Sequence, residues 1–282
     1  MPKKPEKAYK NLEFLTSREA RIIRILAEYL EPRVRFQKQN VKDTIVFFGS
    51  SRVVDKETAL KEVEQARKAF EVSPTEENRL ALKKAEKRLE LSHYYEDARE
   101  LAKRLTEWSM NLHNSHRRFL ITSGGGPGIM EAANRGAWET PGGRSIGLNI
   151  SIPSEQDCNP YITDELNFEF HYFFTRKFWF VYLAKAMVIF PGGFGTMDEL
   201  WEVLTLLQTR KVEKKLPVVM YGSSYWKNLI NFDYLVENLM IEPEDLNLIY
   251  FSDSVDDAFN YLKDKLTEYF LLNDDNHFIE EG

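Results

Sequence analysis

The feature that most restricts the fold of this chain is a repeated change of texture. Short, continuous apolar runs stop at glycine or a polar residue, and each is followed by residues with helical spacing. Within residues 41–49 the run TIVFFG ends on Gly49; RRFLITSGGG leads into PGIMEAANRGAWE; AMVIFPGG leads into TMDELWEVLTLLQTRK. SIGLNISIP, LPVVMYG and NLIYFS repeat the apolar texture, with SYWKNLINFDYLVENLM and VDDAFNYLKDKLTEYF as the helical counterparts of the last two. The aromatic-rich EFHYFFTRKFWFVYLAKA reads as a lead-in to a helix. Runs that are apolar at every position suit strands buried on both faces of a parallel sheet. Strands alternating with helices imply right-handed crossovers, and so an α/β fold: an open, mainly parallel sheet with helices on both faces.

The 282 residues allow one large domain or two small ones, at about 150 residues each. We read a Rossmann-like nucleotide-binding domain over 41–270, preceded by an arm and helix (1–40) and followed by a tail (271–282). Residues 1–16 read as a loose arm, with a helix beginning after Thr16 or Ser17, where SREA offers a capping pattern. From about 55 to 93 the composition shifts to Lys, Glu, Ala and Leu, which predicts an inserted helical hairpin divided at Ser73-Pro74 and restarted by Thr75 as a cap. A third helix is expected at about 94–112. The hairpin is either a solvated insertion or an oligomerisation arm.

Composition narrows the function. Hydrophobic residues at 43% support a sizeable core, and a net charge of −6 argues against a nucleic-acid polymer as partner. The single cysteine, Cys158, excludes an internal disulfide, and no Cys/His spacing suits zinc. His113 and His116 read as a solvated basic helix end rather than metal ligands. The first residues lack the apolar stretch of a signal peptide, and no run approaches the roughly 20 residues needed to span a bilayer. A cytoplasmic protein without membrane contact is the expectation.

Three glycine turns fall at predicted strand ends: Gly49-Ser50-Ser51-Arg52, Ser123 to Gly128, and Pro191 to Thr196. In a parallel sheet ligands bind beyond the carboxyl ends of the strands, glycine admits close backbone approach, and free amides at a helix start favour an anion. A phosphate-bearing ligand is the economical reading. Neither G-x-x-x-x-G-K-[ST] nor G-x-G-x-x-G is present. Asp198 and Glu199 lie in the first turn after the third glycine turn, Asp198 suiting an ordinary acidic helix start. Arg176 and Lys177 stand among Phe173, Phe174, Phe178 and Trp179, where buried cations need an anion.

These residues resemble the LOG ("lonely guy") family of cytokinin riboside 5′-monophosphate phosphoribohydrolases. The family pattern PGGxGTxxE is unbroken from Pro191 to Glu199, the upstream Arg-Lys pair is Arg176-Lys177, and GSS (Gly49 to Ser51) and GGGPGIMEAANRGA complete the likeness over about 42–270. The resemblance implies hydrolysis of the N-glycosidic bond of a nucleoside 5′-monophosphate, with no cofactor and no metal. GGGPGIMEA and the hairpin look more like the longer bacterial branch, which includes purine nucleotide nucleosidases. The substrate implied is therefore a cytokinin riboside monophosphate or an AMP-like purine nucleotide.

On this resemblance Glu199 and Arg176 are the catalytic residues, and Gly192, Gly193, Gly195 and Thr196 form the phosphate cradle. Lys177 is a second cation for the same anion, and Glu155 lies near sugar or base. Ser50 either touches the ligand or caps the next helix. Gly125 belongs to the second turn, where Met130 and Glu131 either line the base pocket or pack. At least a homodimer is implied, with the pocket near the subunit interface. The alternatives are a non-catalytic nucleotide-binding or sensing module, for which Glu199 would be superfluous, and a scaffold dominated by the hairpin.

Overall fold

The computed structural model describes residues 5–112, 117–152 and 157–272. His113, His116 and Glu155 lie outside them. The helices are α1 (Leu12–Thr16), α2 (Arg21–Lys38), α3 (Lys56–Val72), α4 (Glu76–Leu91), α5 (His93–Met110), α6 (Ile129–Trp138), α7 (Phe173–Tyr182), α8 (Phe194–Gln208), α9 (Ser223–Leu229), α10 (Phe232–Glu237) and α11 (Val255–Phe270). The strands are β1 (Thr44–Phe48), β2 (Leu120–Ser123), β3 (Ser145–Ile150), β4 (Asn167–Phe170), β5 (Ala184–Ile189), β6 (Val218–Tyr221) and β7 (Ile249–Ser252). They form one sheet in the order β4-β3-β2-β1-β5-β6-β7, with every pairing parallel. The fold is α/β and Rossmann-like.

The apolar runs explain the layering. Successive strand residues point to opposite faces, and in β1 both sets are apolar. Val46 and Phe48 join one core with Phe36, Trp179, Phe180, Leu200 and Trp226, under α2, α7, α8 and α9. Ile45 and Phe47 join the other with Tyr95, Leu101, Ile129, Ala133 and Leu262, under α5, α6 and α11. From β1 the chain builds outward to β4, then returns to place β5 on the other flank of β1. The crevice between β1 and β5 is the topological switch point, where an open α/β sheet receives its ligand.

Four local expectations are corrected. The N-terminal arm is ordered from Lys7 on, as a 3₁₀ turn (Ala8–Lys10) and α1. SREA does not cap a helix: the Ser17 hydroxyl donates to the Phe14 carbonyl and closes α1, while α2 starts at Arg21 without a side-chain cap. The aromatic segment begins inside the edge strand β4, whose alternating burial imitates no continuous apolar run. SYWKNLINFDYLVENLM is two helices, because the Asn231 side chain accepts the Tyr234 amide and caps a new start at Phe232.

The hairpin forms as expected. Thr75 accepts from the Asn78 amide, and the Arg88–Glu62 pair links α4 to α3 across solvent. The helix that follows, α5, is a core crossover packed on α6.

At the opposite end of the sheet from the glycine turns, Asp43 and Arg118 form a fully buried ion pair at 2.7 Å. Asp43 also accepts the Phe119 amide, whose residue has a positive φ of 56°. Burial raises the Asp43 carboxyl, and Arg118 opposes that rise. Removing one partner of such a pair leaves an uncompensated charge. Asp43→Ala is expected to lower stability by about 3–5 kcal/mol, measured by urea unfolding.

Candidate active site

The three glycine turns end the adjacent strands β2, β1 and β5, and backbone hydrogen bonds tie them together. The Ser50 amide donates to the Pro191 carbonyl at 3.0 Å, and the Ile129 amide donates to the Ser50 carbonyl at 3.1 Å. Gly128 has a φ of 73°, and a β-carbon there would stand 2.3 Å from the Ser50 carbonyl oxygen, so glycine is required where the first two turns touch. Gly125 is braced rather than offered: its carbonyl accepts from the backbone and side-chain nitrogens of buried Asn159. Its α-carbon packs on Asn149.

The third turn has a different character. A β-carbon on Gly192 would collide with Thr196, and the Gly192 carbonyl accepts the Tyr225 hydroxyl at 2.7 Å. Gly192 therefore shapes the turn from below. A β-carbon on Gly193 or Gly195 would meet nothing within 4 Å, and neither has a positive φ. Among the described residues no contact excludes a side chain at these two positions. Gly193 precedes α8 without a side-chain cap, so the amides of Phe194, Gly195 and Thr196 have no carbonyl behind them in the helix. That is a place for an anion.

Arg176 and Glu199 face each other beside this turn. Arg176 Nη2 lies 3.9 Å from Glu199 Oε1, with side chains only 13% and 6% exposed. Arg176 comes from the second turn of α7, between the rings of Phe173 and Phe180 at 5.2 and 5.5 Å. Its Nε is buried without a hydrogen-bond partner among the described residues. Gly124 brings the second turn up to the pair: a β-carbon on it would lie 3.9 Å from Arg176 Nη1 and 2.8 Å from Met130 Sδ. Burial raises the Glu199 carboxyl to about 7, with Lys177 and then Arg176 opposing the rise. Burial likewise lowers the Arg176 guanidinium, against the support of Glu199.

The other expected residues divide. Lys177 reaches back to α8, pairing with Asp198 at 2.8 Å and Glu202 at 2.6 Å. Burial disfavours its charge, but those two carboxylates hold its ammonium above the usual range. Asp198 is thereby an anchor for Lys177. The Ser50 hydroxyl accepts the Arg52 amide, closing its own turn. Glu131 accepts the Tyr95 hydroxyl at 2.7 Å, toward α5 and away from the α7–α8 side. The structure thus brings together Arg176, Glu199, Met130, Gly193, Gly195 and Thr196, while Gly125 and Glu131 take up supporting contacts.

Sequence reading missed Tyr225 and Asn159, which position the turns. Their only signal is a polar side chain in a segment that follows a strand. Among the described residues no group of His, Cys, Asp and Glu is arranged for a metal, and no helix is long and apolar enough to cross a membrane.

A family model described as "Possible lysine decarboxylase" matches residues 130–262, which include α7, β5 and α8. A curated protein of Oryza sativa subsp. japonica, named probable cytokinin riboside 5′-monophosphate phosphoribohydrolase LOGL3, is 27% identical over 185 residues. That match covers 64% of this chain and 79% of the relative. A solved molybdenum cofactor binding protein from Rippkaea orientalis is 18% identical at a TM-score of 0.43, covering 62% of this chain and 88% of its own. By its family-model match and its curated relative, this chain is similar to the LOG proteins.

Proposed function

We propose that the protein hydrolyses the N-glycosidic bond of a nucleoside 5′-monophosphate, releasing the free base and ribose 5-phosphate. The observation that carries this is the buried Arg176–Glu199 pair, 3.9 Å apart, beside the open glycine turn at the head of α8. The similarity to a phosphoribohydrolase supports the hydrolase class. An AMP-like purine nucleotide or a cytokinin riboside monophosphate is the substrate proposed.

The 5′-phosphate occupies the open side of Gly193 and Gly195, on the amides of Phe194, Gly195 and Thr196. Arg176 fixes the substrate and balances charge. Cleavage leaves the bonding electron pair on the base nitrogen and positive charge on the sugar, which a carboxylate stabilises. Water adds its oxygen to the anomeric carbon and gives one proton to Glu199, which passes it on so that the base leaves neutral. A base whose proton affinity lies near neutral pH suits that task. A decarboxylase using pyridoxal phosphate would need a lysine that gives up its proton readily. Lys177, the lysine at this site, is held protonated by Asp198 and Glu202 and does not fit.

A second copy of the chain is the proposed partner. The faces of α2 and α7 beside the site leave Leu26, Leu30, Phe173, Phe174 and Tyr182 between 43% and 57% exposed. Light scattering at micromolar concentration is expected to give at least a dimer; a monomer would contradict it.

Two substitutions test the site. Glu199→Gln is expected to lower base release from AMP and isopentenyladenosine monophosphate by at least about 10²–10³-fold while nucleotide binding survives. Retained turnover removes Glu199 from its role, and no base release by the wild type removes the reading altogether. In the wild type, kcat/KM should rise with pH and level off above about 7, as the carboxylate forms.

The same ionisation works against stability. A carboxyl raised from 4.5 to about 7 favours the folded state below the lower value, and that advantage is lost as pH rises through the upper one. Relative to the wild type, Glu199→Gln should therefore gain about 3 kcal/mol between pH 4 and pH 8, read from denaturant midpoints.

Gly195→Ala, inside α8 with open space before it, should raise stability by about 0.4–1 kcal/mol. It should also weaken nucleotide binding, because the methyl group stands where the phosphate is placed. Calorimetry showing undiminished affinity would move the phosphate elsewhere.

A further inference from the structure

We infer that Glu28, on the N-terminal helix α2, is a positioning residue for Arg176, and that α2 is a working part of the active site. Glu28 lies outside the residues that the family model matches. Its carboxylate gathers three donors at the start of α7. Oε1 accepts the His171 amide at 2.8 Å, and Oε2 accepts the Tyr172 amide at 3.3 Å and the Thr175 hydroxyl at 2.6 Å. Its backbone carbonyl accepts Trp179 Nε1 at 3.0 Å, one turn further along.

The need for this clamp follows from α7 itself. The helix is ten residues long, and Tyr172 before it provides no side-chain cap. Helices of that length are marginal alone, and a carboxylate at the N-terminus satisfies the free amides and favours the helix dipole. Here the carboxylate comes from another helix, so capping α7 also fixes where α7 sits.

The opposite side of α7 is held by Lys177 against Asp198 and Glu202 on α8. Arg176 projects between these two attachments. Its own side chain has ring contacts and the 3.9 Å approach to Glu199, and its buried Nε has no partner among the described residues. The position of the guanidinium therefore depends on the placement of the helix. Releasing the α2 side lets Arg176 withdraw from Glu199. What remains facing Glu199 is Lys177 from α7 and Asp198 and Glu202 from α8, with Glu169 of β4 acting on Arg176.

The catalytic consequence rests on the nucleotide reading; the geometric one does not. Two measurements on the 282-residue chain keep them apart. The first is NMR titration of glutamate side-chain carboxyls, with Glu199 assigned from Glu199→Gln. In Glu28→Gln and Glu28→Ala the Glu199 midpoint is expected to move to higher pH, because a cation that favours its charged form has retreated. Glu28→Asp should recover part of the shift. Arg35→Gln, which breaks the bond from α2 to the Asn167 carbonyl and leaves α7 alone, should not move it.

The second measurement is base release. The expected loss in kcat is about tenfold to a hundredfold for Glu28→Ala, the scale of a displacement near 1 Å, and Arg35→Gln should stay within twofold. Thr175→Val, which removes one of the three donors, should shift the Glu199 midpoint in the same direction by less, and serves if the Glu28 variants do not fold. A Glu199 midpoint unmoved in a folded Glu28→Ala or Thr175→Val protein overturns the inference. A wild type that releases no base defeats the nucleotide reading and leaves the titration to decide this one.

Discussion

The parallel pairing of β1 between β2 and β5 is the constraint on which everything else rests. It reverses the direction of chain growth at β1, and so places three strand ends, each followed by a glycine turn, side by side. Parallel strands need crossovers, and right-handed crossovers move to the other face of the sheet when the direction of growth reverses. That is why α7 and α8 meet on one face at the crevice while α5 and α6 cover the other. The turns then bind one another through Ser50, whose amide reaches Pro191 and whose carbonyl receives the Ile129 amide.

Within that frame the site joins opposed requirements. Arg176 and Glu199 are both buried, and burial disfavours the charge of each. Their mutual attraction, with Lys177 nearby, keeps the pair tolerable without fully restoring ordinary values. A carboxyl left near neutrality in this way can exchange protons at physiological pH, which an exposed glutamate cannot do as readily. Holding two such groups 3.9 Å apart requires rigid support, and it comes from both sides of α7: Glu28 on one, Asp198 and Glu202 on the other.

The helical insertion meets the rest of the domain at its base. Glu96 of α5 accepts the Lys56 amide where α3 leaves the domain. Beyond that base, α3 and α4 carry solvated ion pairs and few buried residues.

The fold was legible because the apolar runs of β1, β2, β3, β5 and β6 are buried on both faces, and such strands have no polar alternative to display. β4 escaped because an edge strand exposes Glu169 between buried Phe168 and Phe170, and its aromatic neighbours share the texture of α7. The glycine turns and the pair Arg176 and Glu199 were legible too, since backbone approach and buried charge demand particular residue types. The distribution of labour among them was not. Gly192, Gly193 and Gly195 look equivalent in the chain, yet the first is packed under Thr196 and the other two stand open. Lys177 and Glu131 look like ligand-binding groups until their distances to Asp198, Glu202 and Tyr95 are seen. Glu28 carries no local signal at all, because its partners lie more than 140 residues away. Residue type specifies what a side chain can do, and local spacing specifies which element carries it. Which partner it meets is decided by the packing of elements distant in sequence, and for a charged group that partner determines whether it binds, reacts or holds a helix in place.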